Sequence, residues 1–460
     1  MMSKTPNSRF FQYFACLAAS AAVTSYTMYS SWPSPTIPIL TGDETPLERP
    51  MSEEEASWMV AIFILAGLPL TVVQPYLINK LGRRKILLAS GVCLFVPWLI
   101  IIFVNDIVML YIARSIGGLC IGFVSTCVSL YNGEVADDDI RGKLGTSYAF
   151  MKLVGSFIIL VAGPFVSYTV LAIICAMVPV TFLAVFFFMP ESPHDLVKNG
   201  DYDGARKVLQ FLSGSDDDTF IKHKLMEIEQ SVKVQLENKE TFKTFFMEKK
   251  FRKVILIMVG IKTLQLFSGG VAIEAYQQTI IDKSLSVVSP EISSIIFGVI
   301  QFPAVFLSSY VVDKFGRRHI TIISALGCAV ALIAEGIFFF MQDYQKVNVD
   351  AIGWLPTTGI VVFIIAYNFG LLPLPYILFG ELFPSNIKST AVSVLASYGT
   401  LLNFTVSKAF APMSAEFGLY TSFWFFAFFC IVGAIFVYFC LPETKGRTFE
   451  EIQHVLKIEQ

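Results

Sequence analysis

The chain has 460 residues, 55% of them hydrophobic, with 43 phenylalanines and a mean hydropathy of +0.64. Only 15% are charged, against about 25% in an ordinary soluble domain, so a water-soluble globule is excluded and the outer surface must face lipid. A net charge of −2 gives no electrostatic reason to expect nucleic acid as a partner.

Taken from the N-terminus, Arg9 precedes an apolar stretch of transmembrane length with no small-residue cleavage site after it, so it reads as a retained span and not a removed signal. The following "SSWPSPTIP" reads as a proline-rich, extended exit from that helix. Runs of about 20 apolar residues, enough to cross a bilayer, then recur near 57–79, 86–104, 108–131, 144–166 and 169–189. With 11–31 they make six. A polar stretch at 190–252 holds two segments of amphipathic helical spacing, Asp203–Leu212 and His223–Leu236. Six more spans follow near 253–280, 291–312, 320–341, 355–380, 389–413 and 420–441. The expected organisation is an N-terminal six-helix bundle (1–189), a cytoplasmic linker (190–252), a C-terminal six-helix bundle (253–441) and a cytoplasmic tail (442–460). The eight cysteines show no metal-ligand spacing and read as small apolar packing residues.

Positive charge orients the array. With both termini cytoplasmic, the inner loops collect Lys80, Arg83, Arg84, Lys85, Arg141, Lys143, Lys314, Arg317, Arg318, Lys388, Lys445 and Arg447. The outer loops then carry only Arg49, Lys283 and Lys346, and the first of them is acidic, with Glu53, Glu54 and Glu55.

Three motifs recur in order in the two halves. "GRR" follows span 2 at 82–84 and span 8 at 316–318. Glu134 and Arg141 between spans 4 and 5 repeat the spacing of Glu381 and Lys388 between spans 10 and 11. "PES" at 190–192 and "PET" at 442–444 close spans 6 and 12. The chain is an internal duplication of six helices, an arrangement of transporters with a substrate site between the repeats at mid-bilayer. The arginines Arg83, Arg84, Arg317 and Arg318 are expected to pair with Glu134, Glu191, Glu381 and Glu443. Such pairs would form a latch that locks the two halves together on the cytoplasmic side.

The motifs "GRRK" (82–85), "RSIGGLCIG" (114–122), "YNGEVADDDIRGKLG" (131–145), "PESP" (190–193), "QLFSGG" (265–270), "GELFP" (380–384) and "PETKGRTFEEI" (442–452) resemble those of the sugar porter family of the major facilitator superfamily. Within it, "SSWPSP" and "EASWMVAIFILAG" are most similar to insect facilitated trehalose transporters. The resemblance covers nearly the whole chain. It implies an all-α membrane protein of twelve transmembrane helices in two bundles, the major facilitator fold, carrying a small-molecule sugar without cofactor, metal or obligate protein partner, most naturally in the plasma membrane. It also implies a cavity lined by spans 1, 5, 7, 8, 10 and 11. There Gln265, Gln301 and Asn403 would hold hydroxyls, since an amide both donates and accepts, and Tyr276 and Tyr376 would pack the ring faces. Pro373 and Pro375 would break span 10. Several family amides are missing: Leu266, Val271 and Ala149 stand where glutamine or asparagine is usual, while His194 and Asn79 depart from the loop motifs.

Charges inside spans are functional candidates by default. They are Lys152, Lys262, Glu274, Glu335 and Lys408, with Arg114 expected to be structural. Glu274 and Gln265 face opposite sides of an unbroken helix at about 100° per residue, but Ser268–Gly270 can unwind and bring both to the cavity. Span 1 carries no Asp or Glu, which favours passive uniport. Glu274 is the available substitute if protons are coupled, and a non-sugar carrier or a nutrient sensor with little flux is the alternative. No GxxxxGK[ST] motif is present for ATP-driven transport, and no nucleophile–base or metal constellation points to an enzyme.

Overall fold

The computed structural model describes residues 9–214, 217–237, 249–284, 288–383, 385–445, 447 and 451. In the N-terminal half the helices are α1 (Phe10–Ser31), α2 (Pro33–Thr41), α3 (Glu53–Leu81), α4 (Arg83–Ile102), α5 (Ile107–Leu119), α6 (Ile121–Val135), α7 (Asp138–Ala162) and α8 (Tyr168–Phe186). Three polar helices follow: α9 (Pro193–Lys198), α10 (Tyr202–Ser213) and α11 (Asp218–Glu237). The C-terminal half holds α12 (Lys249–Phe267), α13 (Gly270–Lys283), α14 (Pro290–Phe315), α15 (Arg317–Phe339), α16 (Leu355–Phe369), α17 (Leu374–Leu382), α18 (Ser385–Phe417) and α19 (Leu419–Cys440). Among the described residues ten stretches are long and apolar enough to cross a membrane. The helices α1–α2 and α18 take the first and eleventh places and complete twelve spans in two sets of six.

Local chemistry sets the ends of these helices. Ser52 and Glu55 form a capping box at the start of α3: Glu55 N–H donates to Ser52 Oγ at 3.2 Å, and Ser52 N–H donates to Glu55 Oε2 at 2.9 Å. Glu53, Glu54 and Glu55 in that first turn complement the helix dipole.

The proline-rich exit from span 1 is not extended. Trp32 keeps helical dihedrals and the chain runs on as α2 with Pro33 in its first turn. Proline is accepted there because its missing N–H has no partner to lose. It does orphan the Tyr29 carbonyl one turn back, and the buried Arg114 of α5 supplies the missing donor, Nη1 to Tyr29 O at 2.6 Å. Arg114 Nε donates to Met59 O at 3.1 Å, and the guanidinium lies 4.7 Å from the Tyr29 ring and 4.5 Å from that of Phe63. A buried charge is thus satisfied by carbonyls and aromatic faces, and spans 1, 2 and 4 are pinned together.

Among the described residues, spans 4, 7 and 10 are also interrupted. Span 4 is interrupted at Cys120, between α5 and α6, where the sequence reads as one continuous run. Span 7 breaks at Ser268 and Gly269. Gly269 has φ +83°, and a Cβ there would meet the Phe426 ring at 2.3 Å, so only glycine fits. Span 10 breaks between α16 and α17 just ahead of Pro373 and Pro375, as the two prolines suggest.

The apolar core shows how the halves meet. One buried cluster joins Tyr29, Trp32, Phe63 and Trp98 of the N-terminal half to Tyr276, Phe297 and Phe410 of the C-terminal half. A separate cluster, with Val23, Leu87, Val128, Tyr131 and Phe186, fills the end of the N-terminal half that carries the first GRR motif. Polar contacts between the halves follow the same gradient. Lys283 pairs with Glu53 at 3.0 Å, Lys408 Nζ donates to Ser57 Oγ at 2.7 Å, and Gln278 N–H donates to Ser34 Oγ at 3.3 Å. Thr71 and Ser397 bond near the middle at 2.8 Å. The halves are zipped at the acidic-loop end.

Candidate functional site

Between the halves lies a cavity of about 170 Å³. Ala149, Lys152 and Ser156 of α7 form one wall; Glu274 and Gln277 of α13, Gln301 of α14, and Tyr367 and Asn368 of α16 form the other. The unwound turn at Gly269 makes this possible, because it re-aims α13 so that Glu274 and Gln277, three residues apart on one face, both reach the space. Glu274 Oε1 accepts from Ser31 Oγ of the opposite half at 3.1 Å. Ser156 Oγ and Gln277 Nε2 sit on the walls without a hydrogen-bond partner among the described residues. Buried polar atoms are rarely left so.

The sequence-expected contacts are distributed unevenly. Gln301 and Glu274 border the cavity. Tyr376 is 64% exposed, with Lys262 Nζ 5.0 Å above its ring, and it does not border the cavity. Gln265 is engaged within its own half: its Oε1 accepts from Lys262 at 2.7 Å, and its Nε2 donates to Leu372 O at 2.9 Å. That carbonyl belongs to the break in span 10, so Gln265 ties the break in span 7 to the break in span 10. Asn403 Oδ1 accepts from Ser407 Oγ at 3.2 Å. Tyr276 is 2% exposed, packed on Phe410 at 5.0 Å between ring centroids, and its hydroxyl has no partner among the described residues. Neither Asn403 nor Tyr276 borders the cavity. Sequence reading missed Gln277, Ser156 and Asn368. Gln277 carried a usable signal, its three-residue spacing from Glu274.

At the other end of the molecule the GRR motifs build two matching knots. Gly82 (φ +88°) and Gly316 (φ +83°) each let a carboxylate approach so closely that a Cβ would meet it: Glu191 Oε2 at 2.7 Å and Glu443 Oε2 at 2.6 Å. These glutamates do not pair with the arginine side chains as expected. They cap the next helix. Arg84 N–H donates to Glu191 Oε1 at 2.9 Å. Arg317 and Arg318 N–H donate to Glu443 Oε1 and Oε2 at 2.9 and 3.1 Å. An anion at a helix N-terminus meets unpaired N–H groups and the positive end of the dipole. The second arginine of each motif turns back to a carbonyl, Arg84 to Phe187 O and Arg318 to Tyr438 O. The first reaches the expected carboxylate: Arg83 to Glu134 at 2.9 Å and Arg317 to Glu381 at 3.0 Å. Ser192 and Thr444 complete the match by donating to the second oxygens of Glu134 and Glu381.

Each of these bonds stays within its own half, so among the described residues they brace the halves separately. Arg141 borders a second hollow with Glu134, Asp137, His194 and Lys224, where α11 docks on the N-terminal half. The Lys388 side chain lies outside the described residues.

The sugar (and other) transporter family profile matches residues 11–456. The chain belongs to that family. It is an integral, multi-pass membrane protein of a family of transporters, not enzymes. It is 32% identical over 444 residues to the facilitated trehalose transporter Tret1 of Polypedilum vanderplanki, covering 96% of this chain and 87% of the relative. It is 30% identical to Tret1 of Apis mellifera ligustica, over 98% and 89% of the two chains. Among solved structures, the inward-open xylose transporter XylE from E. coli superposes with a TM-score of 0.77 at 22% identity, over 96% of this chain and 98% of that one. The same proton:xylose symporter bound to 6-bromo-6-deoxy-D-glucose gives 0.71 at 23%, over 97% and 99%. These likenesses establish the major facilitator fold.

Proposed function

We propose that this protein is a facilitative sugar carrier working by alternating access, with trehalose or a hexose as the neutral substrates to test first. The observation that carries the reading is the cavity at the seam of the two halves, walled by both and bearing the unpartnered Ser156 Oγ and Gln277 Nε2. Gln301 and Glu274 contact the sugar. Gln265 acts through span 10, while Asn403, Tyr276 and Tyr376 join the site when the halves rock. With both termini cytoplasmic and the plasma membrane as its location, the zipped acidic-loop end is the outer side and the present state faces inward. Arg83, Arg84, Glu134, Arg141, Glu191, Arg317, Arg318, Glu381, Lys388 and Glu443 form the inner gate region, stiffening each half so that it moves as a body.

The test is counterflow of labelled trehalose and glucose in liposomes holding the purified protein, with and without a proton gradient. Saturable exchange indifferent to the gradient is expected, and exchange that requires the gradient sinks the uniport reading. Glu274 is the one carboxylate bordering the cavity among the described residues, which supports a second, proton-coupled reading. That reading requires Glu274→Gln to flatten the pH dependence of uptake; for a uniporter the variant changes affinity alone.

A further inference from the structure

Among the described residues, the cavity is bordered by two charged side chains of opposite sign, one from each half. Lys152 comes from α7 of the N-terminal half and Glu274 from α13 of the C-terminal half. Lys152 lies in the middle stretch of α7, away from both ends. A charge at that depth of a span has to face a cavity or a partner, and Lys152 makes no hydrogen bond or ion pair with a described residue, Glu274 included. Glu274 has one bond, its Oε1 accepting from Ser31 Oγ at 3.1 Å. That is long for a hydroxyl on a carboxylate, where about 2.5–2.7 Å is usual, and a carboxylate can accept several donors. Lys262 is held on Gln265, Glu335 lies against Gly359, and neither borders the cavity. The walls therefore carry one cation and one anion, with Ser156, Gln277, Gln301 and Asn368 as the neutral polar groups around them.

A charge that loses water in a membrane-embedded site is expensive unless something answers it. A hydroxyl answers either sign, because it both donates and accepts. A charged group on the solute does not: one wall attracts it, the other repels it, and the sum of charges in the site departs from zero. We propose that Lys152 and Glu274 together form a charge filter, which grips a hydroxylated solute from both halves and holds the site to solutes of zero net charge. Lys152 donates to one solute hydroxyl and Glu274 accepts from another, so the solute itself bridges the seam. Sugar acids, amino sugars and sugar phosphates are rejected by charge and not by size. Removing either member leaves the other in command. Without Lys152 the site is anionic and favours an amino sugar; without Glu274 it is cationic and favours a sugar acid. Lys152 is then a residue that determines specificity. This rests on the sugar-carrier reading and adds the rule by which the site chooses among sugars.

The experiment is counterflow of labelled glucose or trehalose in proteoliposomes, with glucose, D-glucuronate and glucosamine as competitors, buffered so that the amine of glucosamine is protonated. For the wild-type protein glucose is expected to compete at about tenfold lower concentration than either charged sugar, the equivalent of about 1.4 kcal/mol. Lys152→Met should move glucosamine ahead of glucose and weaken glucuronate further. Glu274→Gln should do the opposite, moving glucuronate ahead and weakening glucosamine. Lys152→Arg keeps the wild-type ranking, and the double variant Lys152→Met, Glu274→Gln returns first place to glucose. The two single variants read the filter from opposite sides, so one that folds suffices. If the pair serves only to balance charge in the structure, each single variant loses melting temperature and exchange together with no change in ranking, and the inference is overturned. A wild-type preference for either charged sugar, or a ranking unmoved by the single variants, also overturns it and leaves the carrier reading standing. Absence of exchange for every solute, from protein with an intact melting transition, overturns both.

Discussion

The two GRR knots are built to one plan and differ in how much charge they bury. Around Arg83 the N-terminal knot gathers Glu134, Asp195 and the cap Glu191. The side chains of Arg83 and Asp195 are 8% and 3% exposed. Arg317 faces Glu381 and the cap Glu443 at 13% and 24% exposure for the ion pair, with Thr444 bonded as Ser192 is. Asp195 belongs to α9, into which "PESPHD" continues. The consequence shows in the caps. Burial pushes Glu191 and Asp195 up from the ordinary carboxylate range, against N–H groups and Arg83 that pull them down. Burial also opposes ionisation of Glu443, but the N–H groups of Lys445, Arg317 and Arg318 outweigh it and hold its pKa below that range. Duplication copied the bonding pattern. Closer packing changed its electrostatics.

The sharpest way to break this comparison is to remove the central arginine of each knot. Arg83→Ala strands two buried carboxylates and is expected to cost about 3–5 kcal/mol. Arg317→Ala, in the wetter knot, should cost about 1–3 kcal/mol. Melting of the purified variants reads the difference, and equal losses would mean that the deeper burial of the N-terminal knot is inert. Next in size are Gly82→Ala and Gly316→Ala. Each forces a side chain into a positive-φ backbone and against a carboxylate, about 1–3 kcal/mol. Hydrogen exchange at the first turns of α4 and α15 should rise in each variant's own knot and not in the other, since the bonds stay within halves.

The smallest effect is that of pH. Glu443 has a folded pKa below its unfolded one, so its stabilisation is complete above the ordinary carboxylate range and is lost as pH falls through the folded value. Glu191 and Asp195 have raised folded values, so their contribution grows on acidification and is lost as pH rises. Amides at the start of α15 should therefore exchange faster on acidification while those at the start of α4 do not. The reverse order would refute the assigned asymmetry.

Much of this was legible in the sequence because span length, loop charge and repeated motifs are one-dimensional quantities. The twelve spans, the duplication and the pairing of Arg83 with Glu134 and Arg317 with Glu381 follow from them, and the breaks in spans 7 and 10 from Ser268–Gly270 and from Pro373 and Pro375. The errors share a different cause. Pro33 looked like the end of a helix because its own missing N–H is visible, whereas Arg114, which repairs the loss from far along the chain, is not. Glu191 and Glu443 were read as partners of arginine side chains, since a string of letters does not show that backbone N–H groups lie nearer. Gln265 matches a substrate-binding position, and the sequence does not show that its amide already holds Lys262 and the Leu372 carbonyl. Periodicity tells which residues share a face. It does not tell which donors are already taken.

The bond from Gln265 to the Leu372 carbonyl joins two places where the backbone can bend. Two independent hinges give a bundle two degrees of freedom. Hinges tied to each other give it fewer, so bending at the span 7 break is coupled to bending at the span 10 break. The fastener is a single amide, and substituting it would let spans 7 and 10 bend out of phase.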